Sequence, residues 1–466
     1  MTQQLFEPFR IIWDFIATYW LIFRWLAILI FLVLLWNIFK QTWLFYKQSE
    51  FKNSIEWTLL EIKIPRQVER TPRAMEQFLM NIHGLRNAAG DFLEKYIEGE
   101  VTLWWSLEIV SFGGEIHFYI RTPKKHAKMV SAAFYAQYPT AEVVEAEDYM
   151  EEFPAETSEI YQKGGDIFGS EFILRKDDIY PITTYEVFEK YKDELALDPI
   201  SALLEVLAGI QREEKVFLQI LIRPAGPEYQ EMAKKFIDKL FGREEKKEAG
   251  ASDALSEFAR NVILAPGEHP TWGGEKIEKK EEKDLYKKLT PGEQDVIKAI
   301  ERNISRPSFE TLIRVFYHAP ISIFSVNFAR RGILGAINQY SSPVFNSFRS
   351  NYLAETRTRW INFPHLFVKK RVEARKQRIL YNYRNRKMPE ETSAGKLYTS
   401  HVFNFNTKSS VFVLSTAELA TIYHVPAEQV LTAPHIKRVE SKKMGPPAGL
   451  PIFADESADN GVGSEK

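Results

Sequence analysis

The chain of 466 residues has no cysteine and almost no net charge. Without thiols it cannot form disulfides, cysteine zinc sites, thiolate nucleophiles or iron–sulfur clusters, and this composition fits a reducing cytoplasm. Its 61 Lys and Arg residues nearly balance its 62 Asp and Glu residues, which gives a formal net charge of −1. No overall field therefore favours nucleic acid or a membrane surface, and an electrostatic partner must be recognised by a local patch.

The familiar catalytic motifs are also missing from the sequence. The closest match to a phosphate-binding loop, Gly395-Lys396, lacks the upstream glycine and the following Ser or Thr. There is no dinucleotide-binding glycine pattern, nucleophile elbow or H-E-x-x-H helix, and Ser393 with Lys396 matches S-x-x-K without a companion motif. The histidines are scattered. We therefore predict that the chain is not an enzyme and has no catalytic residue, metal ligand or cofactor.

A long apolar run near the N-terminus is the clearest positive signal. Residues 25–39 carry no charge, and extension back to Tyr19 reaches the ~20 residues that cross about 30 Å of hydrocarbon. Arg24 lies near one end, where its side chain can reach the headgroups. Tryptophans flank both ends, as they do at membrane interfaces. The sequence therefore predicts a membrane anchor over residues 1–50, with the lipid bilayer as a partner.

Two other interpretations of this run are a signal peptide and a buried core helix. The run is long and has no small-residue cleavage site, and a soluble helix that is apolar all round would need a core on every side. Lys40, Lys47 and Lys52 follow the span, so the positive-inside rule predicts a single-pass protein with its body in the cytoplasm. Residues 9–23 could form a separate interfacial helix or extend the spanning helix.

Residues 51–155 are predicted to form a ferredoxin-like domain. An alternating strand pattern begins at Ile55, and Thr71 and Pro72 open a helix that Gly84 ends. Two further alternating runs joined by SFGG indicate a hairpin, a second Thr-Pro pair opens another helix, and AEVVEAE indicates an edge strand. The order βαββαβ is that of the ferredoxin-like split motif. The predicted fold class is therefore α/β (α+β).

A second, interrupted ferredoxin-like domain is predicted over residues 156–242 and 290–425. Between its two parts, residues 243–289 are charged and are predicted to be a flexible insertion. Residues 426–466 form a Pro/Gly-rich and then acidic tail. The elements predicted for this domain are strands at 170–176, 215–224 and 308–318, helices at 198–211, 228–241 and 321–340, a helix opened by Thr290, and a closing strand at 409–415.

The first sheet is predicted to leave one face uncovered by its own helices. Aromatic side chains on such a face stack bases in RNA recognition motifs. However, Glu115 stands where a basic residue would be expected, and the nearby charges do not favour phosphate. We therefore expect the second half of the protein to cover this face. The aromatic residues predicted to share it are Trp57, Trp104, His117 and Tyr119.

Residues 366–388 are predicted to form a basic helix. The run VKKRVEARKQRILYNYRNRK has nine basic residues against Glu373 alone, with Tyr381 and Tyr383 interleaved. It could be a solvated helix face, or it could bind a polyanion, either DNA or an anionic lipid surface. Periodicity does not distinguish these uses. The candidate polyanion-binding residues are Lys369, Lys370, Arg371, Arg375, Lys376 and Arg378.

Several stretches, taken in order, resemble a known family. They are IEWTLLEIKIPRQVERTPRAMEQFLMNIHGL, WWSLEIVSFGGEIHFYIRTPKKH, YAQYPTAEVVEAEDY, VLSTAELATIYHVP and VESKKMGPPAGLPIF. Together they resemble the membrane-proximal region of bacterial conjugation coupling-type ATPases of the type IV secretion class, over about residues 55–451. In that family a motor domain with a Walker A loop follows the Pro-Pro-x-x-Leu-Pro stretch, whereas here the sequence ends within fifteen residues of Pro451. No catalytic residue is therefore carried over.

The resemblance implies a non-enzymatic membrane platform or adaptor for DNA or protein translocation that works with a separately encoded motor ATPase. The alternative is a membrane-tethered nucleic-acid-binding module that uses the basic helix. Leu419, Ile422 and Tyr423 share one helical face and are candidate docking residues for the motor. The same spacing is equally consistent with packing onto their own domain. A further alternative is that the protein forms a homo-oligomeric scaffold.

Overall fold

The computed structural model describes residues 3–64, 71–189, 198–240, 290–357, 366–400 and 407–427. The predicted insertion at 243–289 lies outside the described residues, as does the predicted tail apart from its first two residues. The described part is a mixed α/β protein with an N-terminal apolar helix and one large antiparallel sheet. The predicted fold class is confirmed at this level.

The elements follow in chain order. The strands are β1 Trp57–Lys63, β2 Trp105–Phe112, β3 Glu115–Pro123, β4 Glu142–Ala146, β5 Gly165–Leu174, β6 Lys215–Pro224, β7 Ser308–Pro320, β8 Phe348–Ser350 and β9 Phe412–Ser415. The helices are α1 Gln3–Ser54, α2 Pro72–His83, α3 Ala127–Gln137, α4 Thr157–Gln162, α5 Tyr185–Glu189, α6 Ser201–Ala208, α7 Pro227–Leu240, α8 Pro291–Ile304, α9 Ile333–Ile337, α10 Val368–Arg384, α11 Ser393–Tyr398 and α12 Thr416–Ile422.

The N-terminal helix α1 is long and apolar enough to span a membrane. It has 52 residues, which is about 80 Å at the α-helical rise. Within it, residues 23–54 form the candidate span, and the most apolar part of that segment is exposed on all sides. The backbone is helical without a break from Gln3, so residues 9–23 extend the same helix and are not a separate interfacial one.

The sheet has nine strands, eight of them in the order β4-β1-β3-β2-β6-β7-β5-β8. In the first half, β3 lies between β1 and β2, and β4 lies on the outer side of β1. In the second half, β7 lies between β5 and β6, and β8 lies on the outer side of β5. The two halves meet where β2 pairs with β6, with Ile109 opposite Leu218. Gly113 and Gly114 both have positive φ in the hairpin between β2 and β3, which explains the double glycine at this turn.

Two predictions for the second half differ from the structure. The run at 409–415 contains a strand, β9, but β9 does not take the fourth place of the unit. Of the 13 residues of β7, only the last eight pair with β5, and β9 pairs with the start of β7 that is left over. The strand beside β5 at this edge of the sheet is β8, which has three residues and was not predicted from the sequence pattern. The helix predicted at 321–340 consists mainly of a π turn at Phe328–Gly332 followed by the short α9, and glycines in this segment weaken a regular helix.

The core lies on both faces of the sheet. On one face, apolar side chains of α2, α3, α6, α9 and α12 pack against strand residues such as Leu107 and Ile109. On the other face, Val110, Phe217 and Phe316 pack against α10. Side chains alternate between faces along a strand, so each central strand supplies both cores. We call these the helix-packed face and the α10 face.

Candidate functional site

The basic helix α10 packs directly on the sheet. Ile379, Leu380 and Tyr383 are buried, and Leu380 and Tyr383 join the core of the α10 face. Gly169 on β5 lets the helix approach closely, because a Cβ at this position would lie only 2.6 Å from Cγ1 of Ile379. The segment is therefore an integral layer of the fold, and one of its faces is not available to a partner.

The six candidate polyanion-binding residues lie in different environments. Lys369 and Lys370 are exposed, whereas Arg371 and Arg375 are buried. Arg375 donates hydrogen bonds to the carbonyl oxygens of Glu355 at 3.0 Å and of Arg357 at 2.9 Å. Burial lowers the pKa of its guanidinium to about 10, and the nearby charge of Arg371 acts in the same direction.

The remaining two candidates are partly buried. Lys376 pairs with Asp166 at the start of β5. Burial lowers the pKa of Arg378, against the opposing charge of Glu171. Among the six, the exposed cations are therefore Lys369 and Lys370, at the start of the helix. Most of the predicted basic surface faces the protein interior.

The helix α10 runs from the end of the sheet remote from α1 toward the end that α1 contacts. At the middle of the helix, Lys376 meets Asp166, whose partner on β7 is Ala319, so the residues that precede Lys376 lie still nearer the remote end. Beyond its end, Glu390 accepts a hydrogen bond from Lys52 of α1 at 2.9 Å. The exposed lysines at the start of α10 therefore lie far from the membrane helix, which makes the lipid surface the less favoured of the two polyanions.

Under α10 a row of polar side chains crosses the middle of the sheet. Each member stands opposite the next on the neighbouring strand, so the row is continuous over six strands. The row consists of Glu61, Tyr119, Glu108, Gln219, Arg314 and Glu171 on β1, β3, β2, β6, β7 and β5 respectively.

Two buried ion pairs tie this row together and to the end of α10. Arg386 bonds Glu108 at 3.0 Å between Nε and Oε1, and Asp148 at 2.8 Å between Nη2 and Oδ1. Arg314 bonds Glu171 at 3.0 Å between Nη2 and Oε1. Arg314 also donates to the carbonyl oxygen of Asn382 at 3.1 Å, so both arginines join the sheet to the α10 segment.

Electrostatics keep the Glu108–Arg386 pair charged. Burial alone would raise the pKa of Glu108, but the charge of Arg386 and hydrogen bonds from Arg386, Ser106 and Tyr149 outweigh it and hold the pKa below its ordinary value. The same pair raises the pKa of Arg386, against the effect of its burial. Glu108, Arg386, Arg314 and Glu171 have no solvent-exposed surface. These two ion pairs thus hold α10 against the sheet, and their buried charges cannot contact a substrate.

Sequence analysis missed this row, although a signal for it was present. Glu108, Glu171 and Arg314 each interrupt an otherwise apolar strand core. A charge at such a position is rarely buried without a partner of opposite sign. The two acids and the arginine could have been paired on that ground, but the partner Arg386 lies in a different segment, and its φ of +47° marks an unusual backbone turn.

The aromatic face of the first domain is covered, and the cover comes from the α10 segment together with residues 149–153. Trp104 donates from Nε1 to the carbonyl oxygen of Arg386 at 2.9 Å and lies 4.9 Å from Trp57 between ring centroids. Tyr119 belongs to the buried cluster that contains Tyr383. His117 contacts Glu61 at 2.8 Å. These rings are not free to stack on bases.

The three candidate docking residues all lie in the core. Leu419, Ile422 and Tyr423 have no exposed surface and belong to the core of the helix-packed face, where α12 contacts α2. The Tyr423 hydroxyl donates to the carbonyl oxygen of Tyr119 at 3.1 Å. The structure therefore shows that this face of α12 packs within its own domain, which was the alternative to docking.

A cleft of about 330 Å³ lies between α5 and α8, and its walls are charged. Glu186 bonds Arg302 at 3.2 Å and also pairs with Arg306, while Arg306 bonds Glu76 at 3.2 Å. Burial opposes ionisation of Glu186, but the two arginines lower its pKa overall. The strongest charges in this cleft are thus neutralised by one another.

A smaller cavity of about 190 Å³ lies at the end of the sheet remote from α1, beside Phe153, Lys215 and His318. Burial, followed by the charge of Lys215, lowers the pKa of His318 to about 4, so its imidazole is neutral at neutral pH. Across the described residues, no three His, Asp or Glu side chains come together as a metal site.

The junction of α1 with the body is tightly packed. Leu44 and Gln48 of α1 are buried, and Trp43 donates from Nε1 to the carbonyl oxygen of Tyr96 at 2.7 Å. Gly99 has a φ of +74°, and a side chain there would overlap the backbone of Lys47. This contact therefore requires glycine, and it fixes the direction in which α1 leaves the body.

Comparison with known proteins gives one family. No curated protein matches the chain. A family model described as "Domain of unknown function (DUF8128)" matches residues 46–343, from the last turns of α1 through β7 to the segment that precedes β8. The match covers more than half of the sequence and includes both sides of the β2–β6 junction. The chain therefore belongs to the DUF8128 family.

Proposed function

We propose that this protein is a non-enzymatic, membrane-anchored platform or adaptor of a type IV secretion or conjugation-like translocation machine, and that it works with a separate motor ATPase. The resemblance of its sequence to the membrane-proximal region of coupling-type ATPases supports the context. The internal pairing of its buried charges supports a structural role for them rather than a catalytic one.

The observation that carries the proposal is the continuity of α1. One helix runs from the apolar segment into the body, where Leu44 and Gln48 are buried and Lys52 pairs with Glu390 at 2.9 Å. A flexible linker would let the body diffuse around its anchor. A packed helix instead holds one surface of the body at a fixed angle to the bilayer, which suits a platform on which other proteins assemble.

The nucleic-acid-binding module is the second candidate, and packing weakens it. A run of nine basic residues would supply many phosphate contacts if it were solvated. In the folded protein, Arg371, Arg375 and Arg386 are buried, whereas the exposed cations of the predicted binding set are Lys369 and Lys370. We therefore place DNA binding by α10 below the platform role.

We also infer that the sheet consists of two ferredoxin-like units joined edge to edge through β2 and β6. Support comes from the strand order, since β4-β1-β3-β2 and β8-β5-β7-β6 place corresponding strands in the same sequence. In each unit the first and second strands are connected through a helix, α2 or α6. The order is the one expected from a βαββαβ motif.

The cytoplasmic position of the body is part of the proposal and rests on the lysines that follow the span. A reporter enzyme that is active in the cytoplasm, fused at the C-terminus, should be active, and one that needs export should not. The reverse pattern would reject this topology. Purified protein should neither bind nor hydrolyse ATP, and saturable nucleotide binding would contradict the proposed non-enzymatic role.

Crosslinking in native membranes tests the platform role. A photoreactive residue at Lys369, which is exposed and remote from α1, should capture a translocation ATPase, whereas the same probe at Phe92 beside α1 should not. The test leaves residues from Ser415 onward in place, because α12 is part of the core. Exclusive capture of another copy would indicate a homo-oligomeric scaffold, and exclusive capture of DNA would favour the second candidate.

A further inference from the structure

Two short segments beside α1 carry large apolar side chains that the body leaves in solvent. The first includes the turn at Glu94–Glu98, and the second is α11. Exposed apolar residues of this size are unremarkable one at a time, but a contiguous group marks an interaction surface. The group consists of Phe92 (70% exposed), Leu93 (60%), Ile97 (53%), Leu397 (75%) and Tyr398 (79%).

Both segments are held against the same part of α1. The first receives the hydrogen bond from Trp43 to the carbonyl oxygen of Tyr96. The second packs the ring of Tyr398 5.4 Å from that of Phe45, and Gly395 allows this approach because a Cβ there would lie 2.7 Å from the Phe45 ring. The exposed apolar side chains therefore flank α1 and are continuous with its own apolar surface.

The depth of this group matches the membrane interface. Trp43 follows the end of the apolar run at Phe39 by four residues, which is about 6 Å along the helix. The headgroup zone extends roughly 5–8 Å beyond the hydrocarbon on each side of a bilayer. The first segment therefore contacts α1 at the level of the lipid headgroups, and the second contacts it at Phe45, six residues or about 9 Å beyond Phe39, at the outer edge of that zone.

Lysines are interleaved with these apolar residues. Lys95 and Lys396 are exposed in the two segments, and Nζ of Lys40 lies 5.3 Å from the centre of the Tyr96 ring. Aromatic and aliphatic side chains alongside lysines are typical of segments that lie in the membrane interface and meet anionic headgroups.

We propose that residues 92–98 and 393–398 form an interfacial collar that inserts its apolar side chains among the lipid headgroups around α1. The bilayer is the occupant because the collar continues the surface of the helix that spans it. Because α1 is packed rigidly onto the body, this second contact with the bilayer would limit the tilt of α1 and the body together.

The absence of native cysteine makes a direct test practical. Single variants Phe92→Cys, Leu397→Cys and Ile321→Cys of the full chain are labelled with an environment-sensitive fluorophore and reconstituted into vesicles of phosphatidylcholine and phosphatidylglycerol. Ile321 is the matched control, because it is 63% exposed and follows β7 at the end of the sheet remote from α1. All three sites are exposed, so the substitutions should leave the fold intact.

Labels at Phe92→Cys and Leu397→Cys should shift to the blue on reconstitution from detergent and lose fluorescence when lipids carry a nitroxide quencher in the headgroup region. The label at Ile321→Cys should do neither. Equal quenching at all three sites, or at none, would overturn the collar. A blue shift that is already present in detergent and is insensitive to the lipid quencher would assign the patch to a protein partner or a second copy instead. Co-flotation of every variant with the vesicles reports on the anchor separately.

Discussion

The two faces of the central sheet are buried by different means. On the helix-packed face, several helices cover the strands with aliphatic and aromatic side chains such as Phe78 and Leu419. On the α10 face, one long helix and its C-terminal turn cover a row of charged and polar side chains, including the pairs Glu108–Arg386 and Glu171–Arg314. The same strands therefore contribute to an apolar core on one face, and on the other to a core that combines apolar side chains with buried ion pairs.

The difference shows how each cover is positioned. Apolar packing is non-directional and tolerates many arrangements of similar volume. Buried ion pairs add little net stability compared with apolar residues, but they are satisfied in very few arrangements, and a lost partner leaves a buried charge. We infer that the α10 face is specified by its polar row and the helix-packed face by its apolar pattern. The predictions below test this contrast.

The largest loss is expected for Arg386→Met. This change leaves Glu108 charged, buried and without its guanidinium partner, and it should reduce the free energy of unfolding by about 3–5 kcal/mol. Denaturant unfolding in detergent would measure it. Arg349→Met, at an exposed arginine on β8, is the control and should change stability by roughly 0.5 kcal/mol or less.

A double variant sharpens this prediction. Adding Glu108→Gln to Arg386→Met removes the uncompensated charge and should recover a measurable part of the loss. If the two substitutions are simply additive, the pair is not the reason for the effect, and the polar row does not specify the position of α10.

A cavity in the helix-packed face should cost somewhat less. Leu419→Ala removes a fully buried side chain from α12 and should reduce the free energy of unfolding by about 2–5 kcal/mol. Leu397→Ala is the matched control, because Leu397 is 75% exposed and should have little effect on unfolding in detergent. Similar losses for both variants would contradict the burial of α12.

A smaller loss is expected where α10 meets β5. Gly169→Ala places a methyl group against Ile379 and should destabilise the protein by about 1–3 kcal/mol through overpacking. The double variant Gly169→Ala with Ile379→Ala makes room for the new group, so the glycine substitution should cost less in that background. An equal cost in both backgrounds would place the effect elsewhere than in this contact.

The smallest effect concerns the pH dependence of the α10 face. His318 has a folded-state pKa of about 4, whereas its ordinary value is 6.5. Between these pH values the imidazole is protonated in the unfolded chain and neutral in the folded protein. Its stabilising effect is present above pH 6.5 and is lost as the pH falls toward 4. Allowing for its partial exposure, the loss should be on the order of 1 kcal/mol.

The variant His318→Gln should therefore lose less stability than the wild type across this pH range. Thermal unfolding in detergent at a series of pH values measures the difference, and the two curves should run parallel above pH 7. Curves that stay parallel down to pH 4 would show that another group accounts for the acid sensitivity.

Local patterns predicted most elements because they depend on neighbouring residues. Thr290 and Glu293 form the capping box at the start of α8, where Pro291 marked a helix. The strongly apolar run at 215–224, ended by Pro224, became β6 with the predicted bounds. The pattern failed at β8, which has three residues and is defined by its pairing with β5. So short a strand has no period of its own to detect.

The candidate sites were harder to predict, for a related reason. Charge density identified the segment around α10, but it could not show that Arg375 donates to carbonyl oxygens inside the protein. Helical spacing grouped Leu419, Ile422 and Tyr423 correctly on one face, but it could not show what that face packs against. A pattern defines which residues share a face, and the partner of the face depends on the rest of the chain.

The sequence by itself determined the membrane-competent helix, the α/β class and most strand and helix positions, because hydrophobic periodicity and capping act within a few residues. Only the tertiary structure decided that two halves form one sheet, that α10 covers a buried polar row, and that the segments of Phe92 and Leu397 both pack beside α1. The physical reason is distance along the chain. Arg386 meets Glu108 across 278 residues, and no local pattern encodes a pair that forms only when the whole sheet has folded.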